Sequence, residues 1–306
     1  MPPHFFRWQR LALLFTLVLL TACAHILPLG NGDGAIATPP PAKPAATPRI
    51  ALVLGGGAAR GFAHIGVIKT LEAQGIVPDI IVGTSAGSVV GALYASGHNG
   101  FELQQLGLQM DERQISDWSL PDRGVIKGEA LQEFINRAVN QRPLEKMPRL
   151  LAVVATDLHS GAPIVFRTGN TGMAVRASSS VPGVFQPVVI NGREYVDGGL
   201  VSPVPVSTAK SLGADFIIAV DISARPQYGK TQGMIDVLLQ TFSIMGQAIN
   251  RLELPMADVV IQPNTPGIRA TGFQDRHQAV MEGEKAATAA LPEIRSKLAR
   301  WGERVK

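Results

Sequence analysis

Ser85 stands in the pentapeptide Gly83-Thr84-Ser85-Ala86-Gly87, directly after the apolar run Ile80-Ile81-Val82. Gly-x-Ser-x-Gly between a strand and a helix is typical of a nucleophile elbow, a tight turn that lifts the serine hydroxyl out of the sheet. The glycines are needed because a Cβ there would collide with the neighbouring strand and helix. The partial positive charge of the helix N-terminus favours negative charge that develops nearby. The pattern predicts a serine nucleophile, and its structural alternative is a plain glycine-rich turn.

A second group is the run Gly55-Gly56-Gly57-Ala58-Ala59-Arg60-Gly61, again between a predicted strand and helix. Residues with little or no side chain expose backbone N–H groups that can hold an anion. No Lys-Ser/Thr follows, and Gly-x-Gly-x-x-Gly fits in no register, so neither a P-loop nor a dinucleotide fingerprint is present. The remaining candidate is an oxyanion, held near Gly56, Gly57 and Ala58. Arg60 either contacts the anion or pins the loop.

The third group is Asp197-Gly198-Gly199, which follows the predicted strand Arg193–Val196. A carboxylate at a strand end, followed by two flexible residues, is well placed to face another loop. Taken alone, the same three residues are also a common turn.

These groups require elements that position them. Short Val/Ile/Leu-rich runs separated by helical patterns predict an α/β sheet covered on both faces. The predicted strands are Ile50–Leu54, Ile80–Val82, Leu150–Ala155, Pro163–Thr168, Val188–Ile190, Arg193–Val196, Phe216–Val220 and Val259–Ile261. Asn191-Gly192 between two of them predicts a tight hairpin.

Helical periodicity fills the intervals between these strands. The predicted helices cover about 62–71, 88–95, parts of 101–140, 234–254 and 277–300, the last broken at Pro292. The 234–254 helix is rich in apolar side chains. Together with the region Ser178–Phe185, it is a candidate to line an acyl groove or to cover the site, and the alternative is ordinary core packing.

The three motifs in this order closely resemble the patatin-like phospholipase family. Further blocks agree with the resemblance, namely 60–67, 155–158 and 177–187. It runs from about Ile50 to Ile222, and the remainder fits the family's variable C-terminal region. The resemblance implies a three-layer α/β/α domain over 50–306 with a mostly parallel central sheet.

The resemblance also implies a serine lipid acyl hydrolase of the phospholipase A, lysophospholipase or esterase type. Ser85 would attack an ester carbonyl, Asp197 would accept its proton, and the glycine loop would hold the oxyanion before water releases the acyl-enzyme. Gly83, Gly87, Gly198 and Gly199 belong to the matching motifs. Ala58 stands where many members have a third glycine, although its N–H group is retained.

Three other functions remain open. An α/β-hydrolase esterase would use a Ser-His-Asp triad, with Asp197, Asp221 or Asp258 followed by His277 in chain order. Against it, only one predicted strand of the domain precedes the nucleophile strand. An acyltransferase would pass the acyl group to another acceptor. A non-catalytic lipoprotein would bind lipid through the same pocket.

The N-terminus predicts export and lipid anchoring. Residues 1–22 combine Arg7 and Arg10 with an apolar run of ten residues, which spans about 15 Å in a helix and is too short to cross a membrane. Cys23, the single cysteine, follows Leu20-Thr21-Ala22, which resembles the lipobox of bacterial lipoproteins. Residues 23–49 are rich in Pro and Ala and predict a tether. In such lipoproteins the residue after the cysteine helps to sort the protein, and Ala24 is not the Asp associated with inner-membrane retention, so the resemblance implies the outer membrane, facing the periplasm. The alternative is that Cys23 is a buried free thiol near an ordinary cleavage site.

The composition narrows the possible partners. Removal of residues 1–22 takes away two of 28 basic residues and leaves 26 against 24 acidic ones, so nothing favours nucleic acid. No histidine pair has metal-ligand spacing, and the motifs require no metal or cofactor. Membrane lipids or other acyl esters are the predicted partners, and the oligomeric state is not predicted.

Overall fold

A computed structural model describes residues 47–110, 117, 126–228, 231–268 and 273–304. The predicted signal segment, Cys23 and all but the last three residues of the tether lie outside the described residues. The first strand begins at Ile50, where ordered structure was predicted to start.

Eight strands and eight α-helices make up the described chain. The strands are β1 Ile50–Leu54, β2 Ile80–Thr84, β3 Leu150–Asp157, β4 Pro163–Phe166, β5 Val188–Ile190, β6 Arg193–Asp197, β7 Phe216–Val220 and β8 Val259–Ile261. The helices are α1 Phe62–Ala73, α2 Ala86–Ala95, α3 Gly100–Gln109, α4 Glu129–Ala138, α5 Thr171–Ser178, α6 Val206–Ser211, α7 Met234–Glu253 and α8 Arg276–Arg304.

The strands form one sheet in the order β5-β6-β3-β2-β1-β7-β8, with β4 paired to β3 outside this path. Strands β3, β2, β1, β7 and β8 run parallel, while β4, β5 and β6 pair antiparallel. The predicted α/β class with a mostly parallel central sheet is therefore confirmed.

Alternate residues of the central strands enter two separate cores. Leu52 and Leu54 pack in the cluster that includes α1 and α8, whereas Ala51 and Val53 pack in the cluster that includes α6. Because successive side chains of a strand point to opposite faces, helices cover both faces of the sheet. The result is the three-layer α/β/α arrangement.

Strands β2 and β6 both pair with the same edge of β3, and this pairing positions the site. Strand β4 pairs with Val153–Thr156 of β3 and overlaps the register of both β2 and β6. Since a residue has one partner on each edge, β2 and β6 must both lie on the edge opposite β4. There Thr84 pairs with Val154 and Asp197 pairs with Ala155. The carboxyl ends of β2 and β6 therefore meet head to head.

The C-terminal helix corrects one prediction. Helix α8 runs without interruption from Arg276 to Arg304 and contains Pro292, where a break was predicted. Proline removes one backbone donor, but buried side chains on both sides of it, Ala287 and Ile294, hold the helix against the domain. Packing of the whole helix outweighs the local preference. No helix in the described ranges combines the length and apolarity that a membrane span needs.

Candidate active site

Ser85 occupies a strained turn between β2 and α2. Its φ of 52° and ψ of −125° lie outside the regions that non-glycine residues normally adopt. A Cβ on Gly83 would lie 2.6 Å from the Gly87 carbonyl oxygen, and one on Gly87 would overlap the Leu54 carbonyl. The predicted elbow and the steric reason for its glycines agree with this geometry.

Ser178, which the motifs did not identify as a site residue, holds the nucleophile elbow in place. Ser178, the last residue of α5, accepts the Ser85 backbone N–H at 2.8 Å and donates its hydroxyl to the Val154 carbonyl at 2.5 Å. Its side chain thus ties the nucleophile turn to β3. The block 177–187 was part of the family resemblance, but nothing in it indicates which of its serines contacts Ser85.

Asp197 ends β6 and is 6% exposed. Its Oδ1 accepts the Gly199 N–H at 2.7 Å. Burial raises the pKa of this carboxyl to about 6, while hydrogen bonds from the Ser85 hydroxyl and the Gly199 N–H act in the opposite direction. Its other oxygen, Oδ2, is buried and has no hydrogen-bond partner among the described residues. The buried Asp197 carboxyl thus keeps one oxygen, Oδ2, without a partner beside the nucleophile.

The glycine loop approaches Ser85, but its first predicted donor is already used. Gly56 donates its N–H to the Pro203 carbonyl at 2.9 Å, so this N–H is engaged within the fold and not free for the predicted oxyanion role. Its lack of a side chain still matters, since a Cβ there would lie 3.2 Å from the Ser85 Cβ. The N–H groups of Gly57 and Ala58 have no acceptor among the described residues. Ala58 adopts a φ of 50°, which suits the glycine that many family members carry there.

Arg60 follows the loop and pins it. Its Nε donates to the Ile222 carbonyl at 2.9 Å. Burial lowers the pKa of Arg60, and the nearby Asp221 carboxylate raises it. This contact ties the loop to the segment after β7, which is one of the two predicted roles of Arg60.

Ser85, Asp197, Gly57 and Ala58 lie together on the wall of a cavity of about 1090 Å³. Helix α7 lines the cavity along much of its length, and the segments after β7 and β8 contribute further residues. The volume is at the upper end for small-molecule sites and accommodates a lipid ester.

The described histidines lie away from this cavity. His277 is exposed on α8 and does not line the cavity, and Asp258, a proposed triad partner, instead accepts the Ile217 N–H. His64 is buried and bonds the Gly55 carbonyl at 2.8 Å, and burial lowers its pKa to about 4. The described part of the chain contains no group of three His, Cys, Asp or Glu side chains that would hold a metal ion.

The motifs of this site also match a known protein family. A sequence profile of the family described as Patatin-like phospholipase matches residues 52–210, which contain the glycine loop, the elbow and Asp197. The chain belongs to the patatin-like phospholipase family.

Two curated relatives illustrate this membership. An uncharacterized NTE family protein of Mycobacterium tuberculosis is 36% identical over 180 residues, covering 58% of this chain and 50% of that protein. Human patatin-like phospholipase domain-containing protein 6 is 34% identical over 186 residues, covering 58% of this chain and 14% of the human protein. The patatin-like chain thus spans about half the length of the mycobacterial relative.

A solved structure shares the fold. VipD from Legionella pneumophila matches with a TM-score of 0.55 at 15% sequence identity, covering 81% of this chain and 67% of that one. At this identity the likeness concerns the fold alone.

Proposed function

We propose that this patatin-like protein is a lipid acyl hydrolase of the phospholipase A, lysophospholipase or esterase type. The observation that carries the proposal is the contact of the Ser85 hydroxyl with the buried Asp197 carboxyl on the wall of a large cavity. The free N–H groups of Gly57 and Ala58 line the same wall. Family membership supports the choice of a lipid ester as substrate.

The proposed reaction proceeds through an acyl-enzyme. The Ser85 oxygen bonds to the ester carbonyl carbon as its proton passes to Asp197, and the carbonyl oxygen takes up the negative charge. The N–H groups of Gly57 and Ala58 donate to this oxyanion. When the tetrahedral intermediate collapses, the ester bond breaks and the leaving alcohol takes the proton from Asp197. Water then attacks the acyl-enzyme with Asp197 as base, which releases the fatty acid and restores Ser85.

The elevated pKa of Asp197 makes it a better base than an exposed aspartate. An ordinary aspartate, with a pKa near 4, takes a proton from an alcohol poorly. A value of about 6 leaves the carboxyl ionised at neutral pH and strengthens its attraction for a proton. The uncommitted Oδ2 is available to receive that proton.

We also propose that the protein works at a membrane surface, held by a lipid on Cys23. The lipobox-like Leu20-Thr21-Ala22-Cys23 and the tether at 23–49 support this placement. Several acyl chains on one cysteine bind a bilayer stably, because each buried methylene adds about 0.8 kcal/mol. The favoured location is the periplasmic face of the outer membrane, next to lipid substrates.

A fluorophosphonate probe tests the central proposal. We expect the purified full chain to be labelled at Ser85 and to hydrolyse acyl esters, and the Ser85→Ala variant to do neither. Asp197→Asn should lower kcat by about 10²- to 10⁴-fold, the usual contribution of a general base. His277→Ala should retain full turnover.

Two outcomes would contradict this proposal. If His277→Ala is inactive while Asp197→Asn is active, the Ser-Asp dyad is wrong and a triad operates. If the folded protein is not labelled by the probe, a lipid-binding function is favoured.

A further inference from the structure

Helix α7 spans the cavity and contacts three different parts of the domain. Near its start, Leu238 approaches Gly183, where a Cβ would lie 2.8 Å from Leu238 Cδ2. In its second half, a Cβ on Gly246 would meet Pro203 at 3.4 Å. Close to its end, Asn250 bonds Ser223 in the segment after β7. The helix therefore extends from the Gly183 turn to the carboxyl end of the sheet.

Leu239 and Phe242, in the first half of this helix, line the cavity together with Val181 and Pro182, which lie next to Gly183 in the chain. Two polar side chains of this half are bonded within the protein, since Gln240 donates to the Pro226 carbonyl and Ser243 to the Leu239 carbonyl. Asp236 lies in the first helical turn, where its charge complements the helix dipole.

Polar side chains from the second half of α7 and from the segments after β7 and β8 also line the cavity, alongside apolar ones such as Leu254 and Ile268. The polar ones are Asp221, Ser223, Asn250, Arg251, Gln262 and Asn264. The carboxylate of Asp221 is fixed by two donors, the Ser223 N–H at 3.0 Å and Gln262 Nε2 at 3.1 Å. These contacts fix the Asp221 carboxylate next to Ser223 on the cavity wall.

Among these polar residues, Asn250 has a buried side-chain atom without a partner among the described residues. The residue is 4% exposed, and its Nδ2 donates to Ser223 Oγ at 3.0 Å. Its Oδ1 is buried without a hydrogen-bond partner among the described residues. A buried acceptor left unpaired is costly, so a donor supplied by a ligand would be favoured here.

We propose that Asn250 selects the alcohol portion of the substrate, which lies beside Asn250 and Ser223 while the acyl chain lies beside Leu239 and Phe242. The ligand class is an acyl ester whose alcohol keeps a free hydroxyl, such as a partly acylated glycerol, with that hydroxyl donating to Asn250 Oδ1. Ser85 attacks the ester carbon between the two parts. This assignment rests on the proposed hydrolase function and specifies its substrate.

The test compares two esters of one fatty acid, a monoacylglycerol and a p-nitrophenyl ester without a free hydroxyl on its alcohol. Asn250→Leu should lower the ratio of kcat/KM for the monoacylglycerol to that for the p-nitrophenyl ester by about tenfold, the effect of one lost hydrogen bond. Thr241→Val is the matched control, because Thr241 is exposed on α7 and its hydroxyl bonds only the Val237 carbonyl of the same helix. This control should leave the ratio unchanged.

The outcomes separate selection from packing. A lower ratio in Asn250→Leu supports the proposal, and an unchanged ratio, including parallel loss on both esters, overturns it. If Asn250→Leu does not fold, Ser223→Ala, which releases the Asn250 amide, should lower the ratio in the same direction. Ser85-dependent turnover with an unchanged ratio would refute only this selection, whereas turnover that persists in Ser85→Ala would refute the hydrolase itself.

Discussion

Burial changes the acidity of the Asp197 carboxyl. Buried at the end of β6, it has a pKa near 6 although its hydrogen bonds from Ser85 and Gly199 favour the ionised form. Desolvation therefore outweighs both hydrogen bonds. The sequence predicted the identity of this residue and its place at a strand end, but not the depth of its burial.

The raised pKa predicts the pH dependence of turnover. Because the base must be ionised, kcat/KM on a soluble ester should be level above pH 7 and fall about tenfold per unit well below the pKa of about 6. An unperturbed aspartate would place the midpoint near 4. Stopped assays between pH 4.5 and 9, with circular dichroism to confirm folding, measure the profile.

A midpoint near 6 would also suit a histidine, so the profile needs a matched control. His277→Ala should keep the same midpoint, because His277 is exposed on α8 and does not line the cavity. A midpoint near 4, or one that disappears in His277→Ala, would contradict the assignment of Asp197 as the base.

The motif does not predict which backbone N–H groups of the glycine loop are free to bind an oxyanion. Gly56, Gly57 and Ala58 are equivalent as exposed donors in the sequence, yet only Gly56 meets the Pro203 carbonyl. That acceptor comes from a segment distant in the chain. Ser178 was missed for the same reason, since its contacts with Ser85 and Val154 exist only after folding.

At the scale of elements, helices α1 and α8 pack with their backbones in contact. A Cβ on Gly66 would overlap the Val280 carbonyl, and one on Gly283 would overlap the Ala63 carbonyl. Close approach of this kind is possible only where side chains are absent. It fixes α1, which follows the glycine loop, against the C-terminal helix.

This contact predicts a local cost of substitution. Gly283→Ala should lower the free energy of unfolding by about 1–3 kcal/mol, because the added methyl overpacks the interface. Gly302→Ala on the same helix is the control, since a Cβ there meets nothing within 4 Å. The control should be neutral or stabilise by up to about 1 kcal/mol through helix propensity. Urea unfolding measures both, and equal effects would contradict the close packing.

Some elements were predictable because their signals are local. Asn191 and Gly192 both adopt positive φ, and β5 and β6 form the hairpin that this dipeptide predicted. Pro292 gave the opposite result, since α8 continues through it. A turn of two residues is decided by its own backbone preferences, whereas a long helix is decided by everything that packs against it.

At the scale of the whole molecule, the remaining prediction concerns the proposed lipid anchor on Cys23. The full chain expressed in a Gram-negative host should incorporate labelled palmitate, and its mature mass should correspond to a chain that begins at Cys23. Cys23→Ser should lose the label, because it removes the thiol that carries the lipid. Ala24→Ser, next to an intact cysteine, is the control and should be labelled. Retention of residues 1–22 in the wild-type chain would contradict lipoprotein processing.

The sequence by itself determined the α/β class, the family resemblance, and the residue types and local turn at Ser85. These follow from short stretches in which hydrophobic pattern and glycine sterics leave few alternatives. Only the tertiary structure decided that β2 and β6 pair with the same edge of β3, that Asp197 is buried there, and that α7 lines the cavity. Each depends on contacts between segments far apart in the chain. The nucleophile is thus a local property of the sequence, and its base and its cavity are properties of the fold.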